Sequence, residues 1–420
     1  MQEKFFKTAK NLFLLAFVVF AAFISLKTTT FAATSKVTNV EQFGAAETSI
    51  SVRWEAVSGA SSYTIYVSES STFPANATIT KSTWFASERI DNLEPNRTYY
   101  VKVRAKGSDT FSDTVACVTD PQKVVGLTHS SSTTSSITVS WNAPASGADY
   151  YNVYYFPVAF PSQKIFAGST AGTTYTVGNL IDDTSYHIYV YPAKKSASGY
   201  EAVGFYYDLS SLNTVAKANK LSQIKLYRWD AGSAAATVSF TNSSKKQSGV
   251  QIEIRSVTGK KIKTFTAAKN AASISFSLNS IKNKGFKYRL RTYVTVNGKN
   301  CYGPYTSQKI AIARPKVTAA KKSNTSLKLS WKKISGAKSY SVYLAKGKNY
   351  KFKKVATVKS TSYTLKQTRY STYYYVYVQA NGVKSGKKKY SSTKAVWQSI
   401  TQVYYPKNSK VTNYYTSYSK

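Results

Sequence analysis

The sequence is a strongly basic chain of 420 residues, with a formal net charge of +40, 35 tyrosines, two cysteines and two histidines. The cysteines, Cys117 and Cys301, lie far apart and exclude a disulfide framework. No set of Cys, His or carboxylate residues has the spacing of a metal site. A chain of this length is expected to contain several domains of roughly 100 residues each.

The N-terminal segment, residues 1–33, has the order of features found in a secretory signal peptide. Lysines precede an apolar run from Asn11 to Leu26, and small residues follow it. The run is shorter than the roughly 20 residues that a membrane-spanning helix needs. We therefore expect cleavage after Ala32 or Ala33, with an uncleaved anchor as the alternative. The mature protein is expected to be secreted or extracellular, either free or associated with a cell surface, without integral membrane contact.

A repeat of roughly 90 residues follows. The segments SISVRW, SITVSW and SLKLSW end at Trp54, Trp141 and Trp331, and each precedes a short loop that contains Ser-Gly-Ala and then a tyrosine-bearing segment. A fourth unit, AATVSF, ends at Phe240. Apolar residues alternate with polar ones in these segments, and no helical period is sustained. This pattern predicts short antiparallel strands packed as sandwiches.

The repeat divides the chain into modules. Proline-containing segments at 120–122 and 313–316 fall where joints between modules are expected. The predicted division is a signal peptide at 1–33, modules at 34–121, 122–217, 218–314 and 315–400, and a Tyr/Lys-rich tail at 401–420. The aromatic residues that the alternation assigns to the module cores are Trp54, Trp141, Phe240, Trp331, Tyr99, Tyr186, Tyr288 and Tyr374.

Repeat one contains LEPNRTYYVKVRA, from Leu93 to Ala105. Together with the tryptophan that closes the second strand and the Ser-Gly-Ala before the third, this segment resembles the fibronectin type III family. The resemblance implies an all-β fold of four tandem immunoglobulin-like antiparallel β-sandwiches. It also implies that Tyr99 is a corner tyrosine whose hydroxyl bonds nearby backbone. Repeat three departs furthest from the pattern because Phe240 replaces the tryptophan.

The charge is unevenly distributed. Residues 34–121 hold eight basic and ten acidic side chains, residues 122–217 hold five of each, and residues 254–420 hold 36 Lys or Arg with no acid. Self-repulsion opposes such a field, so the pattern favours attraction to a polyanion; lysines that only solvate sheet edges are the alternative. The candidate polyanion-binding residues are Lys351, Lys353, Lys354, Lys387, Lys388 and Lys389.

Only five of those 36 basic residues are arginine. Lysine is a point charge without the bidentate fork of arginine, which favours diffuse attraction. The predicted partner is therefore an anionic surface polymer or acidic polysaccharide. An anionic membrane surface is a further candidate, and nucleic acid is a less favoured one.

A second candidate surface is formed by tyrosines on the outward face of strands. Tyrosine suits contact surfaces for a protein or a glycan, although its preference for exposed strand positions is a sufficient alternative explanation. The candidates are Tyr154, Tyr189, Tyr191, Tyr343, Tyr373, Tyr375 and Tyr377.

Residues for catalysis are missing from the pattern. His129 and His187 lie in different repeats, with His187 expected to be solvated, and no nucleophile set, cofactor motif or carboxylate pair converges. We predict a secreted, non-catalytic adhesion or scaffold protein, bacterial by composition, whose cationic half docks on an anionic polymer. The alternatives are an accessory carbohydrate-binding chain of a secreted polysaccharide-degrading system, or an extracellular nucleic-acid binder.

Overall fold

The computed structural model describes residues 35–230, 234–347, 350–393, 398–407 and 410–418. The predicted signal peptide lies outside the described residues. In the part of the chain that is described, the structure consists of β-strands and short 3₁₀ turns, and the all-β prediction is confirmed. None of its helices is long and apolar enough to cross a membrane. The 3₁₀ turns are Ala75–Ala77, Ala218–Lys220 and Asn279–Ile281.

Module 1 is a two-sheet antiparallel sandwich. Its strands are β1 (Glu41–Ala46), β2 (Ser49–Arg53), β3 (Tyr63–Ser68), β4 (Thr78–Thr83), β5 (Ser87–Ile90), β6 (Thr98–Ala105) and β7 (Val115–Val118). One sheet has the order β1-β2-β5 and the other β4-β3-β6-β7. Alternate residues of β6 are fully buried, including Val101 and Val103, because successive side chains of a strand point to opposite faces.

Module 2 repeats this arrangement with longer strands. They are β8 (Val125–Ser132), β9 (Ile137–Asn142), β10 (Tyr150–Pro157), β11 (Ile165–Thr170), β12 (Thr174–Val177), β13 (Ser185–Lys195), β14 (Glu201–Val203) and β15 (Tyr207–Asn213). The sheets have the orders β12-β9-β8 and β11-β10-β13-β14, and β15 also pairs with β13.

Module 3 has the same two-sheet plan. Its strands are β16 (Leu221–Asp230), β17 (Ala235–Asn242), β18 (Gly249–Ser256), β19 (Lys261–Ala268), β20 (Ser273–Ser277), β21 (Gly285–Val296), β22 (Lys299–Tyr302) and β23 (Lys309–Ile312). The sheets have the orders β16-β17-β20 and β19-β18-β21-β22, with β23 paired to β21. The rings of Trp229 and Phe286 meet edge to face at 4.9 Å, so a different aromatic pair fills the core of this divergent module.

Module 4 is larger than the sequence division indicates. Its strands are β24 (Val317–Ser323), β25 (Ser326–Trp331), β26 (Ser339–Lys346), β27 (Lys353–Val358), β28 (Ser362–Lys366), β29 (Thr372–Asn381), β30 (Val383–Ser385), β31 (Lys388–Tyr390), β32 (Gln398–Tyr405) and β33 (Thr412–Tyr418). The sheets have the orders β24-β25-β28 and β27-β26-β29-β32-β33, and β30 forms a hairpin with β31.

Strand β32 runs across the division predicted between residues 400 and 401. It pairs with β29, and Ile400, Val403 and Tyr405 on it are fully buried. Strand β33 continues the sheet, and the side-chain amide of Asn413 bonds both the N–H and the C=O of Ala319 at 2.9 Å. The first part of the predicted tail therefore belongs to the sandwich, because its apolar residues complete the core.

The eight predicted core aromatics are all buried. The hydroxyls of Tyr99, Tyr186 and Tyr374 each accept a hydrogen bond from a backbone N–H five residues earlier, at 2.9, 2.8 and 2.7 Å. This is the corner geometry that the resemblance implies for Tyr99. Tyr288 of module 3 bonds the backbone of Leu226 instead, and burial raises its pKa to about 12.

The joint between modules 1 and 2 is polar and contains a half-buried carboxyl. Asn96 Nδ2 donates to the carbonyl of Ser146 at 2.9 Å, and Ser198 Oγ donates to that of Ala116 at 2.9 Å. Burial of Asp120 raises the pKa of its carboxyl to about 6, although a hydrogen bond from the Val203 N–H acts in the opposite direction.

We expect Asp120→Asn to stabilise the chain at neutral pH. A raised carboxyl pKa means that the folded state holds a proton that the unfolded state releases, so the stability of the wild type falls as pH rises from about 4 to about 6. After allowance for solvent screening, the variant should gain about 1 kcal/mol at pH 7.5 and nothing at pH 4. Thermal unfolding at the two pH values checks this. Asp109→Asn, in an exposed loop of the same module, is the control; an equal gain there would contradict the assignment.

Candidate functional site

The outer face of the larger sheet of module 2 gathers three predicted tyrosines. Tyr154 on β10 is paired in register with Tyr189 on β13. The ring of Tyr191 lies 5.5 Å from that of Tyr154 and 6.4 Å from that of Tyr189. We call these three residues the tyrosine face. The alternation of β10 and β13 brings them together because both strands turn the same face outward.

Two further aromatic residues extend this face. Phe166 on β11 lies 5.1 Å from Tyr154, and Tyr206, just before β15, lies 5.0 Å from Tyr189 and 5.3 Å from Tyr191. Phe166 is 54% exposed and Tyr206 is 46% exposed. Sequence reasoning missed both, although the run FYY at 205–207 was an available signal.

A lysine lies over the tyrosine face. The Nζ of Lys164 is 4.7, 5.2 and 4.3 Å from the ring centres of Tyr154, Tyr189 and Tyr191. It also donates a hydrogen bond to the Tyr191 hydroxyl at 2.5 Å. The surface is therefore not a bare aromatic plane, because a flexible cation interacts with its rings and offers a donor to a ligand.

His187, expected to be solvated, lies at the end of this face in a contact. Its ring stacks on Tyr189 with centres 4.7 Å apart and planes 7° from parallel, and its Nε2 lies 2.5 Å from a carboxylate oxygen of Asp208. The expectation for His187 was wrong because β15 brings Asp208 beside β13. The face thus carries an acceptor at one end and Lys164 across its rings.

The tyrosines of module 4 are less accessible than predicted. Tyr373 is 42% exposed, but Tyr375 is only 2% exposed. Tyr375 does lie on the face opposite to the core, yet it packs with Ala345 and Ile400, and the ring of Tyr350 covers it at 4.8 Å. The prediction of Tyr375 as a surface residue was wrong because β32 and the segment before β27 enclose it.

Tyr343 and Tyr377 form a stacked pair with ring centres 4.5 Å apart and planes 12° from parallel. Phe352 meets Tyr377 edge to face at 4.8 Å, and the guanidinium of Arg314 lies 4.6 Å from the Tyr377 ring. Burial lowers the pKa of Arg314. Its Nε and Nη1 have no hydrogen-bond partner among the described residues. These aromatic residues therefore pack around Arg314, which lies largely buried at the boundary between modules 3 and 4.

The predicted lysines occupy two places in module 4. Lys353 and Lys354 lie on β27, the edge strand of the larger sheet, with Lys351 just before it, and all three are exposed. Lys387 lies in the turn of the β30–β31 hairpin, and Lys388 and Lys389 lie on β31. The second group therefore lies in a small hairpin.

An open cleft at the far end of module 4 adds cations that the sequence did not single out. Its volume is about 650 Å³, and its lining includes Lys322, Lys366 and Arg369 with serine and threonine hydroxyls. The cleft lies at the start of β25, whereas the joint with module 3 lies beyond the end of that strand.

Module 1 exposes two large apolar residues at the turn between β4 and β5. Trp84 is 75% exposed and Phe85 is 73% exposed. Sequence reasoning missed this pair because it falls between the alternating segments. No group of three His, Cys, Asp or Glu side chains in the described part of the chain could hold a metal ion.

Two segments of the chain match a known family. Residues 35–118 and 120–202 match the model of the fibronectin type III domain family. The two matches cover most of modules 1 and 2. Modules 3 and 4 have the same two-sheet, tandem β-sandwich fold. Fibronectin type III domains are typical adhesion and scaffold modules and are commonly extracellular.

Solved structures with fibronectin type III domains are also similar to the chain. A two-domain segment of chicken tenascin is 20% identical, covers 42% of this chain and 99% of its own, and has a TM-score of 0.25. The FN1-FN3 domains of chicken CNTN1 are 14% identical, cover 66% of this chain and 99% of their own, and have a TM-score of 0.30. A search among curated proteins finds no match.

Proposed function

We propose that the chain is a secreted, non-catalytic adhesion or scaffold protein whose modules 3 and 4 dock on an anionic surface polymer. The observation that carries the proposal is the sign of the exposed charge. Residues 254–420 contain 36 Lys or Arg and no acid, and the last acid, Glu253, is only 3% exposed. Glu253 is already paired, with its Oε1 2.5 Å from Arg255 Nε and 2.8 Å from Arg289 Nε.

Several arginines of this stretch are engaged by the fold, which leaves lysine as the main exterior charge. Arg255 and Arg289 bond Glu253, and Arg289 and Arg291 lie 3.9 and 4.3 Å from the ring centre of Tyr305. Arg314 lies against Tyr377. Lysine attracts an anion as a point charge, so the attraction is long-ranged and depends on salt.

Modules 1 and 2 carry the second half of the proposal, contact with a partner or a glycan. Their charge is nearly balanced, with 13 basic and 15 acidic side chains in residues 34–217. The tyrosine face suits a glycan ligand because sugar rings pack on aromatic rings. The Lys164 ammonium and the Asp208 carboxylate can also form hydrogen bonds with the hydroxyl groups of a sugar. The exposed Trp84 and Phe85 offer a separate apolar contact for a protein partner.

Affinity as a function of salt tests the proposal. We expect the full chain to bind inorganic polyphosphate, used as a defined linear polyanion, with an affinity that falls log-linearly between 50 and 500 mM salt. A neutral glucan should bind more weakly and with little salt dependence. Tyr206→Ala should reduce the binding of the glucan and leave the binding of polyphosphate unchanged. Tighter binding to duplex DNA than to polyphosphate would favour the nucleic-acid alternative. Binding to neither anion would refute polyanion docking.

A further inference from the structure

The contact between modules 3 and 4 is built differently from the other joints. Ile281, Ile334 and Val383 are 0, 0 and 1% exposed and belong to one apolar cluster that runs through both modules. The cores of modules 1 and 2 are separate clusters. Modules 3 and 4 therefore share a core, and burial of that core favours the docked arrangement of the two modules.

Each of the three buried residues has an exposed lysine beside it in sequence. Lys282 follows Ile281, Lys333 precedes Ile334, and Lys384 follows Val383. Adjacent Cα atoms are about 3.8 Å apart. Burial of the apolar residue thus fixes the backbone of its lysine neighbour at the rim of the joint.

Hydrogen bonds between the modules draw these segments together. The Ser335 N–H donates to the carbonyl of Asn283 at 3.1 Å. Lys282, Lys284 and Lys333 are at most two residues from that bond, so their Cα atoms lie within about 8 Å of it.

The β30–β31 hairpin joins the same rim. Ser385 Oγ, in β30, donates to the carbonyl of Val257 in module 3 at 2.7 Å. The bond holds the hairpin, which carries Lys384 and residues 387–389, against module 3. Lysines from three separate segments therefore border one contact.

These lysines have no carboxylate of their own stretch to neutralise them. Residues 254–420 contain no acid, and Glu253 is buried with Arg255 and Arg289. Exposed charges repel one another when their separation is within the Debye length of about 8 to 10 Å, and the repulsion is screened at larger separations. The repulsion opposes closure of the joint in the free chain, and an anionic chain laid along the rim would remove it.

We propose that the joint between modules 3 and 4 is the polyanion site, and that a linear polyanion bound across it stabilises the docked arrangement of the two modules. This inference rests on the proposed function, since it places the docking site and gives binding a structural effect. Because coupling is reciprocal, whatever stabilises the closed joint also tightens polyanion binding. The site spans two modules, so neither carries it alone.

Two matched triple variants of the full chain test this. Lys282→Gln, Lys284→Gln and Lys387→Gln remove three charges at the rim, and Lys322→Gln, Lys366→Gln and Arg369→Gln remove three at the cleft. All six side chains are exposed, so both variants should fold. We expect the rim variant to lose about tenfold in polyphosphate affinity at 50 mM salt, and the cleft variant about threefold or less.

Hydrogen exchange supplies the second measurement. The amides of Ser335 and Thr393 bond Asn283 and Ile312 across the joint, at 3.1 and 3.0 Å. Saturating polyphosphate should slow their exchange about fivefold in the wild type and the cleft variant, and not in the rim variant.

The outcomes separate the inference from the proposed function. Equal loss of affinity in both variants would mean that the positive charges attract polyphosphate as a diffuse field over the surface. That result would overturn the joint as the site. Polyphosphate that binds without slowing exchange at Ser335 and Thr393 would overturn the coupling. Failure of the wild type to bind polyphosphate would instead overturn the proposed function itself.

Discussion

Replacing Glu253 by glutamine should lower the free energy of unfolding of module 3 by about 3 kcal/mol at pH 7. Glu253 lies on β18 in the centre of a sheet face and is 3% exposed. Two arginines share its Oε1, and the Tyr305 hydroxyl donates to Oε2 at 3.4 Å. Glutamine keeps the shape but leaves Arg255 and Arg289 without a counter-charge in a stretch that has no other acid.

The direction of the pKa shift of Glu253 determines how this stability difference depends on pH. Burial raises the pKa of Glu253, but hydrogen bonds from Arg255 and Arg289 outweigh burial and hold it below the ordinary 4.5. A carboxyl with a lowered folded pKa contributes stability that is present above the unfolded pKa and is lost as pH falls through the folded pKa. The difference between wild type and Glu253→Gln should therefore be full at pH 7 and should shrink below pH 4.5.

Chemical denaturation at pH 7 and at pH 3 measures the effect. Glu41→Gln is the control, because the Arg53–Glu41 pair has a similar distance of 2.7 Å but side chains that are 59% and 58% exposed. An exposed pair contributes at most about 1 kcal/mol. Equal losses in the two variants would show that Glu253 is not the buried counter-charge of module 3.

The module cores could be predicted from sequence because each depends on a local period. Side chains along a strand alternate with a period of two residues, which places Trp54, Trp141 and Trp331 on the inner face. The same period brings Tyr154 opposite Tyr189. The corner bond of Tyr99 is also local, since it spans only five residues. Such features need nothing beyond strand geometry and a recurring motif.

Features that depend on contacts between distant segments could not be predicted. The burial of Tyr375 requires Tyr350 and Ile400 to approach from two sides. The lysines at the rim of the joint between modules 3 and 4 come together only because the Asn283–Ser335 bond connects the two modules. A period along one strand identifies an outward face, but it does not say which other segment covers that face.

Strand β32 is an intermediate case, because its alternation was present in the sequence and was not used. Thr401, Val403 and Tyr405 alternate on the inner face, with Gln402 and Tyr404 less buried between them, while Ile400 packs with Tyr375 on the opposite face. The segment lies outside the recognised motif and was assigned to a tail for that reason. Its contribution to module 4 can be measured directly.

Tyr405→Ala should cost module 4 about 3 to 5 kcal/mol, the range for loss of a large buried aromatic side chain. The side chain is fully buried, its ring lies 5.0 Å from that of Tyr370, and its hydroxyl donates to the carbonyl of Ser323. Calorimetry of the full chain should show the transition of module 4 at a lower temperature. Because modules 3 and 4 share a core, the transition of module 3 should fall with it.

Tyr414→Ala is the matched control for this test, since it removes the same side chain from β33, where it is 51% exposed. Its effect should stay within about 0.5 kcal/mol. If both variants unfold like the wild type, β32 does not complete the sandwich, and the sheet would have to close after β29. If only Tyr405→Ala is destabilised, residues that carry no family motif supply a strand on which the shared core of modules 3 and 4, and with it the lysine rim, depends.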